Sequence, residues 1–179
     1  SILNYLPAAE ELANRSYFSL RMGALVEHPL PATHSRIIDY ASIGRADFLD
    51  IFLTAKCRFF LGCHGGIDAV AVIFRKPIIY ANQVPLVQFP TWGKDDLVVP
   101  KLLWLREDKR YLTFREILTS EIGHFLNTEQ YDHLGIDVME NTPEEITAAV
   151  IEMDERLKGT WEPADEDEDL QRRFFSLFQ

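Results

Sequence analysis

Residues Cys57 to Ala81 restrict the fold more than any other stretch of this chain. Cys57 to Cys63 (CRFFLGC) is an apolar run of strand length, and His64-Gly65-Gly66 is a turn. Ile67 to Phe74 (IDAVAVIF) is a short, almost wholly apolar helical stretch, closed by Arg75-Lys76-Pro77 and followed by a second strand, Ile78 to Ala81. A strand, a tight turn, a buried helix and a strand within about 25 residues make a compact βαβ unit, which requires parallel strands and a right-handed crossover. The predicted fold class is therefore α/β, a Rossmann-like parallel sheet flanked by helices.

The rest of the pattern is compatible with that unit. Tyr5 to Arg15 reads as a helix with Pro7 in its first turn, and Tyr17 to Met22 as a strand closed by Gly23. Glu27 to Ser35 is a loop and Ile37 to Ala41 a short extended segment. Asp47 to Ala55 carries Phe48, Ile51, Phe52 and Ala55 at helical spacing. Asn82 to Trp104, with Pro85, Pro90, Trp92 and Pro100, reads as a loop, its tryptophans as core or loop anchors rather than sugar platforms. Thr113 and Glu116 form a capping box for a helix to about Gly123. A further helix spans Thr128 to Leu134, and a short strand Ile136 to Met139. Thr142-Pro143-Glu144-Glu145 starts a helix that reaches Lys158. Leu170 to Phe178 reads as a terminal, phenylalanine-rich helix.

A length of 179 residues suits one domain, here residues 1–161, with an acidic linker and terminal helix over 162–179. The net charge of −10 argues against nucleic-acid binding, which needs a basic face. Six carboxylates between Glu162 and Asp169 account for much of that charge, so a local phosphate site remains compatible with it. Cys57 and Cys63 lie about 20 Å apart along one extended strand, too far for a disulfide. Free thiols point to a reducing, cytoplasmic setting. No apolar run reaches the length of a membrane span, and no secretory signal pattern opens the chain.

The turn Cys63-His64-Gly65-Gly66 is the strongest candidate for chemistry. It joins a strand's C-terminal end to a helix N-terminus, where unpaired N–H groups and the helix dipole favour an anion. Glycines let a diphosphate approach the backbone, although two glycines also make an ordinary tight turn. No Lys-Ser/Thr follows, so this is not a Walker loop, and the spacing is not G-x-G-x-x-G. His64 is open to three roles: phosphate donor, general acid or base, or helix cap. Asp68 suits the dipole of the first helical turn and competes with a diphosphate if it points the same way. Arg21, at a strand end, could grip phosphate by a bidentate fork, though a surface ion pair is the simpler account of this residue taken alone. Arg75 and Lys76 suit the far end of the apolar helix and are structural. Glu140 could hold a ribose hydroxyl pair, while Asn141 and Thr142 read more simply as turn and cap.

In order, the stretches DFLDIFLTAKCRFFLGC, the HGG turn, RKPIIYAN and ENTPEEI resemble the C-terminal domain of GT-B glycosyltransferases. With NYLPAAEELANRSYFSLRMG and IIDYA, they are similar to a bacterial glycosyltransferase family linked to surface-polysaccharide loci. The resemblance covers roughly Asn4 to Trp161. It implies a single GT-B half that binds a nucleotide-sugar as substrate, with no cofactor and no metal, for transfer to a glycan or lipid-linked acceptor. It implies Cys63, Gly65, Gly66, Ile67 and Glu140 as binding residues. His64 and Arg21 are then the groups acting on the departing diphosphate. It further implies an N-terminal acceptor domain as partner. The family turn is usually rich in hydroxyl groups; here backbone N–H groups and His64 take their place. A sugar-nucleotide epimerase and a non-catalytic scaffold or regulatory domain are the alternatives of the same fold.

Overall fold

The computed structural model describes residues 1–32, 34–88 and 93–178. Its centre is a three-stranded parallel sheet of β3 (Phe60–Gly62), β4 (Ile78–Gln83) and β5 (Leu97–Pro100), with β4 in the middle. Side chains alternate between the faces of β4. Ile79 and Ala81 meet α1 (Leu6–Asn14) and α6 (Pro143–Lys158) through Ala8, Leu12, Ile146, Ala149, Val150 and Met153. Ile78 and Tyr80 meet Ala71 of α3 (Ile67–Ile73) on the other face. A helix layer on each face of a parallel sheet is the α/β arrangement that the βαβ pattern predicts. α2 (Asp47–Lys56) lies alongside α3.

The sheets are smaller and more mixed than a single continuous Rossmann sheet. β1 (Ser19–Leu20) and β2 (Ile37–Ile38) pair with each other in parallel as a separate ribbon. The strand expected over Tyr17 to Met22 is thus only two residues long, and the extended segment from Ile37 turns into a 3-10 helix at Tyr40–Ser42. The loop reading of Asn82 to Trp104 is corrected. β5 and β6 (Leu102–Leu105) form one extended run through Lys101, whose N–H donates to the Gln83 carbonyl at 3.0 Å. Pro90 and Trp92 lie outside the described residues. Pro100 in its middle hid this run from the period-2 pattern; it is tolerated because it closes the parallel ladder.

β6 leads into a second, antiparallel sheet with β7 (Arg110–Tyr111) and β8 (Ile136–Met139). Its own core joins Leu103, Leu112, Ile117, Tyr131 and Ile136. α4 (Phe114–Leu118) and α5 (Thr128–His133) cover it. The helix expected through Gly123 stops at Leu118, and a 3-10 turn at Glu121–His124 follows. A Cβ at Gly123 would come within 2.7 Å of the Ile117 carbonyl oxygen, so this close turn needs glycine. α7 (Asp167–Phe175) is tied to the same core by Phe174, whose ring meets Phe114 edge-on at 5.1 Å. Trp104 is half-buried and packs against Tyr111 at 4.9 Å. α6 starts on the Thr142–Glu145 capping box with Pro143 first, and stops at Gly159 in the left-handed region.

Candidate functional site

Parallel strands bring their C-terminal ends, and the turns that follow them, to one edge of a sheet. Here that edge gathers Cys63–Gly66 after β3, Asn82 near the end of β4, and Lys101 after β5. Tyr5, just before α1, and Glu140–Asn141, just after β8, reach the same edge.

Cys63, His64, Gly65 and Gly66 are all exposed, and Ile67 is half-buried as the first residue of α3. Gly66 has φ +90, a conformation that favours glycine, and a Cβ placed there meets no atom within 4 Å. The turn is therefore open above its backbone. Its amides are already engaged from below. Asp68, 7 % exposed, accepts from the Gly65 N–H at 3.2 Å and faces His64 Nδ1 at 3.0 Å. Burial pushes the Asp68 carboxyl up. Hydrogen bonds from Gly65, His64 and Gly66 outweigh this and hold it below the usual carboxylate range. An ionised carboxylate only accepts, so His64 Nδ1 carries its proton and Nε2 is the nitrogen left for a ligand. The His64 ring also meets the Tyr80 ring at 4.8 Å, the two planes tilted by 38°. None of the three roles open to His64 is seen in these contacts: the α3 cap is Gly66, with no side-chain cap bond, and the bond to the Asp68 carboxylate instead orients the imidazole.

A second set of contacts fixes the rest of the edge. β4 has a register shift between Ala81 and Gln83, and Asn82 between them takes φ +60, which asparagine tolerates. Asn82 and Asn141 clasp each other: the Asn82 N–H donates to Asn141 Oδ1, and the Asn141 N–H to Asn82 Oδ1 at 2.7 Å. Asn141 Nδ2 adds a bond to the Pro100 carbonyl at 3.0 Å. Asn141, 2 % exposed, therefore stitches together the ends of β4, β5 and β8, the organising role its sequence position suggests. Asn82 Nδ2 donates to the Tyr5 hydroxyl at 2.9 Å. Burial, opposed by that bond, pushes the Tyr5 hydroxyl's pKa up, and the neighbouring Cys63 and Glu140 add to the rise. Glu140 is held by Asn4 Nδ2 at 3.1 Å and by the Ser1 amino group at 2.7 Å.

Beside Glu140 runs a groove of about 220 Å³, lined by Pro85, Lys101, Phe125, Thr128 and Tyr131 among others. Its lining joins the charged Lys101 and Glu140 to the aromatic Phe125 and Tyr131. The volume is below the roughly 300–1,000 Å³ of a pocket for a whole drug-sized ligand, so it suits one ring system rather than a complete nucleotide-sugar. A larger cavity, about 370 Å³, lies at the opposite edge of the sheet, between Arg75–Ile78 and Gly93–Asp96. It is remote from the strand ends where the turn chemistry lies. Arg75 and Lys76 sit at that far edge, as their place after α3 implies.

The structure does not bring Arg21 to the turn. Its guanidinium donates to the His28 carbonyl at 2.8 Å and pairs with Asp39 at 3.4 Å. Asp39 in turn accepts from the Leu30 N–H and Ser42 Oγ, so Arg21 secures the loop after β1. Lys101 lines the groove beside Glu140. Lys101, Tyr5 and Asn82 went unassigned in the sequence, because a tyrosine before a helix, a lysine and an asparagine lack a motif. The clue available was the polar Asn82 directly after the apolar IIYA. Among the described residues no three His, Cys, Asp or Glu side chains are grouped to hold a metal ion, and no helix is long and apolar enough to cross a membrane.

No protein-family model, curated protein or solved structure matches this chain. What the site can do rests on its own geometry. An open glycine turn beside an oriented histidine can meet an anion. A carboxylate next to an aromatic groove can meet a hydroxylated ring.

Proposed function

We propose that this chain is the donor-binding half of a GT-B-like glycosyltransferase, and that it binds a nucleotide-sugar along the C-terminal edge of β3, β4 and β5. The observation that carries this reading is the juxtaposition of an open Cys63–Gly66 turn and a Glu140-flanked groove at one edge of a parallel sheet. In this reading the diphosphate lies over Gly65 and Gly66, and the imidazolium form of His64, protonated at both ring nitrogens, donates to it through Nε2 as charge develops on the leaving group. Glu140 takes the ribose hydroxyls and the groove takes the base. Lys101, rather than Arg21, supplies positive charge. The acceptor and the base that activates it belong to the expected N-terminal domain.

A non-catalytic domain of the same fold is the second reading, and Asp68 is the observation that favours it. Its carboxylate already holds the turn's amides, in the place where an anion would act. Calorimetric titration with UDP, GDP, ADP and CMP separates the two. The donor reading expects saturable binding of one nucleotide, weakened about tenfold by Glu140→Gln. It also expects tighter binding in Asp68→Asn, where one negative charge is gone. Failure of all four nucleotides to bind both the parent chain and Asp68→Asn would leave the non-catalytic reading.

A further inference from the structure

A helix beside a sheet ordinarily buries its apolar stripe and turns its polar one to water. α2 does the reverse. Its buried residue is Thr54, whose Oγ1 has no hydrogen-bond partner among the described residues. Phe48, Ile51 and Phe52, at spacings of three and four and hence on one face, are open to solvent. Phe48 and Phe52 stack on each other at 5.9 Å, so the stripe is ordered rather than splayed. Ile43, just before α2, and Ile73 and Phe74, at the end of the adjoining α3, add further open apolar surface. Phe48 and Ile73 are each 73 % exposed. At about 200 Å² for a fully open large apolar side chain, these six leave on the order of 700 Å² in water. That exceeds the roughly 300–600 Å² of the largest apolar patch on a typical monomer. It comes close to the ~800 Å² that each partner gives to a standard interface.

We propose that this face is the contact between two copies of the chain, with their α2 helices antiparallel about a twofold axis near Ile51 and Phe52. The sequence of α2 is self-complementary in that arrangement. Asp47 comes level with the partner's Lys56, and Phe48 with the partner's Ala55. Ile51 comes level with the partner's Phe52. Acid thus lies opposite base, large opposite small, and the two helix dipoles oppose each other. A parallel pairing instead sets Asp47 and Asp50 of both copies side by side. The proposal is independent of the nucleotide site, which lies at the strand ends.

Sedimentation velocity of the whole chain over a range of micromolar concentrations tests it. The expected result is a monomer–dimer equilibrium. Phe48→Glu and Ile51→Glu should each raise its dissociation constant about tenfold or more. Their circular dichroism should match the parent, because both side chains already lie outside the fold. Leu134→Glu, at an exposed site beyond α5, should leave association unchanged. Orientation is read by oxidation in a Cys57→Ser, Cys63→Ser background: Phe52→Cys should cross-link to its copy, and Lys56→Cys should not. A chain that stays monomeric throughout overturns the proposal. So does a dimer indifferent to both glutamates, or one in which Lys56→Cys cross-links as readily as Phe52→Cys.

Discussion

At the scale of single residues, Gly66 and Asp68 decide what the turn can do. Gly66 sits at φ +90 with free space beside it, so Gly66→Ala meets no clash and only a backbone penalty. We expect a loss of about 1 kcal/mol in chemical denaturation, because the alanine must adopt a left-handed backbone. A loss several times larger would mean that the turn is packed more tightly than described. Asp68 holds the turn through Gly65 and His64. Its folded-state pKa is lowered, so its contribution to stability is complete above the ordinary carboxylate range near ~3.9. That contribution is lost as pH falls through the lowered value. Comparing Asp68→Asn with the parent by denaturation at neutral and at acid pH should show their difference shrinking in acid. The sequence revealed Asp68 as a first-turn acid able to compete with an anion, but the direction of its carboxylate depends on the His64 ring, which Tyr80 positions from the next strand.

At the scale of elements, α1 and α6 are joined by a buried charge as well as by packing. Asp154 of α6, fully buried, accepts from Tyr17 Oη at 2.6 Å, Lys158 Nζ at 2.8 Å and Arg15 Nη1 at 3.0 Å. Burial pushes its carboxyl up; the bonds from Lys158, Tyr17 and Arg15 outweigh this and lower it overall. Asp154→Ala should destabilise the fold by about 2–3 kcal/mol, less than a fully enclosed pair, since Arg15 and Lys158 can return to water. The loss should be read as a lower midpoint in urea at neutral pH, and it should fade in acid, where the parent carboxylate is itself protonated. Thr142→Ala removes the α6 capping box and should cost about 1 kcal/mol in the same assay. The capped ends of α6 were legible because capping is a local code. The inversion of α2 was not: Phe48, Ile51 and Phe52 mark an amphipathic helix, and period alone does not say whether its apolar face turns inward.

At the scale of the molecule, one extended run joins the parallel sheet to the antiparallel one. β5 belongs to the parallel sheet and β6 to the antiparallel one, with only Lys101 between them. The segment 162–178 is not a free tail, since Phe174 seats against Phe114. Phe174→Ala should lower stability by about 2 kcal/mol, below the range for a fully buried phenylalanine, and thermal unfolding would register it as a lower midpoint. The α/β class was readable from the βαβ unit, because local periodicity marks parallel strands around a buried helix. The second sheet was not, because its strands are two to four residues long and pair across distant parts of the chain. The same remoteness governs the Asn82–Asn141 clasp and the Tyr5 hydroxyl bound to Asn82. Pairings so distant in sequence close large loops and form slowly. A chain emerging during synthesis carries the glycine turn long before it carries Asn141. The edge where a ligand would sit is therefore assembled only once the chain has been made past β8, and a ligand that needs the clasp can recognise the finished protein but not its growing N-terminal part.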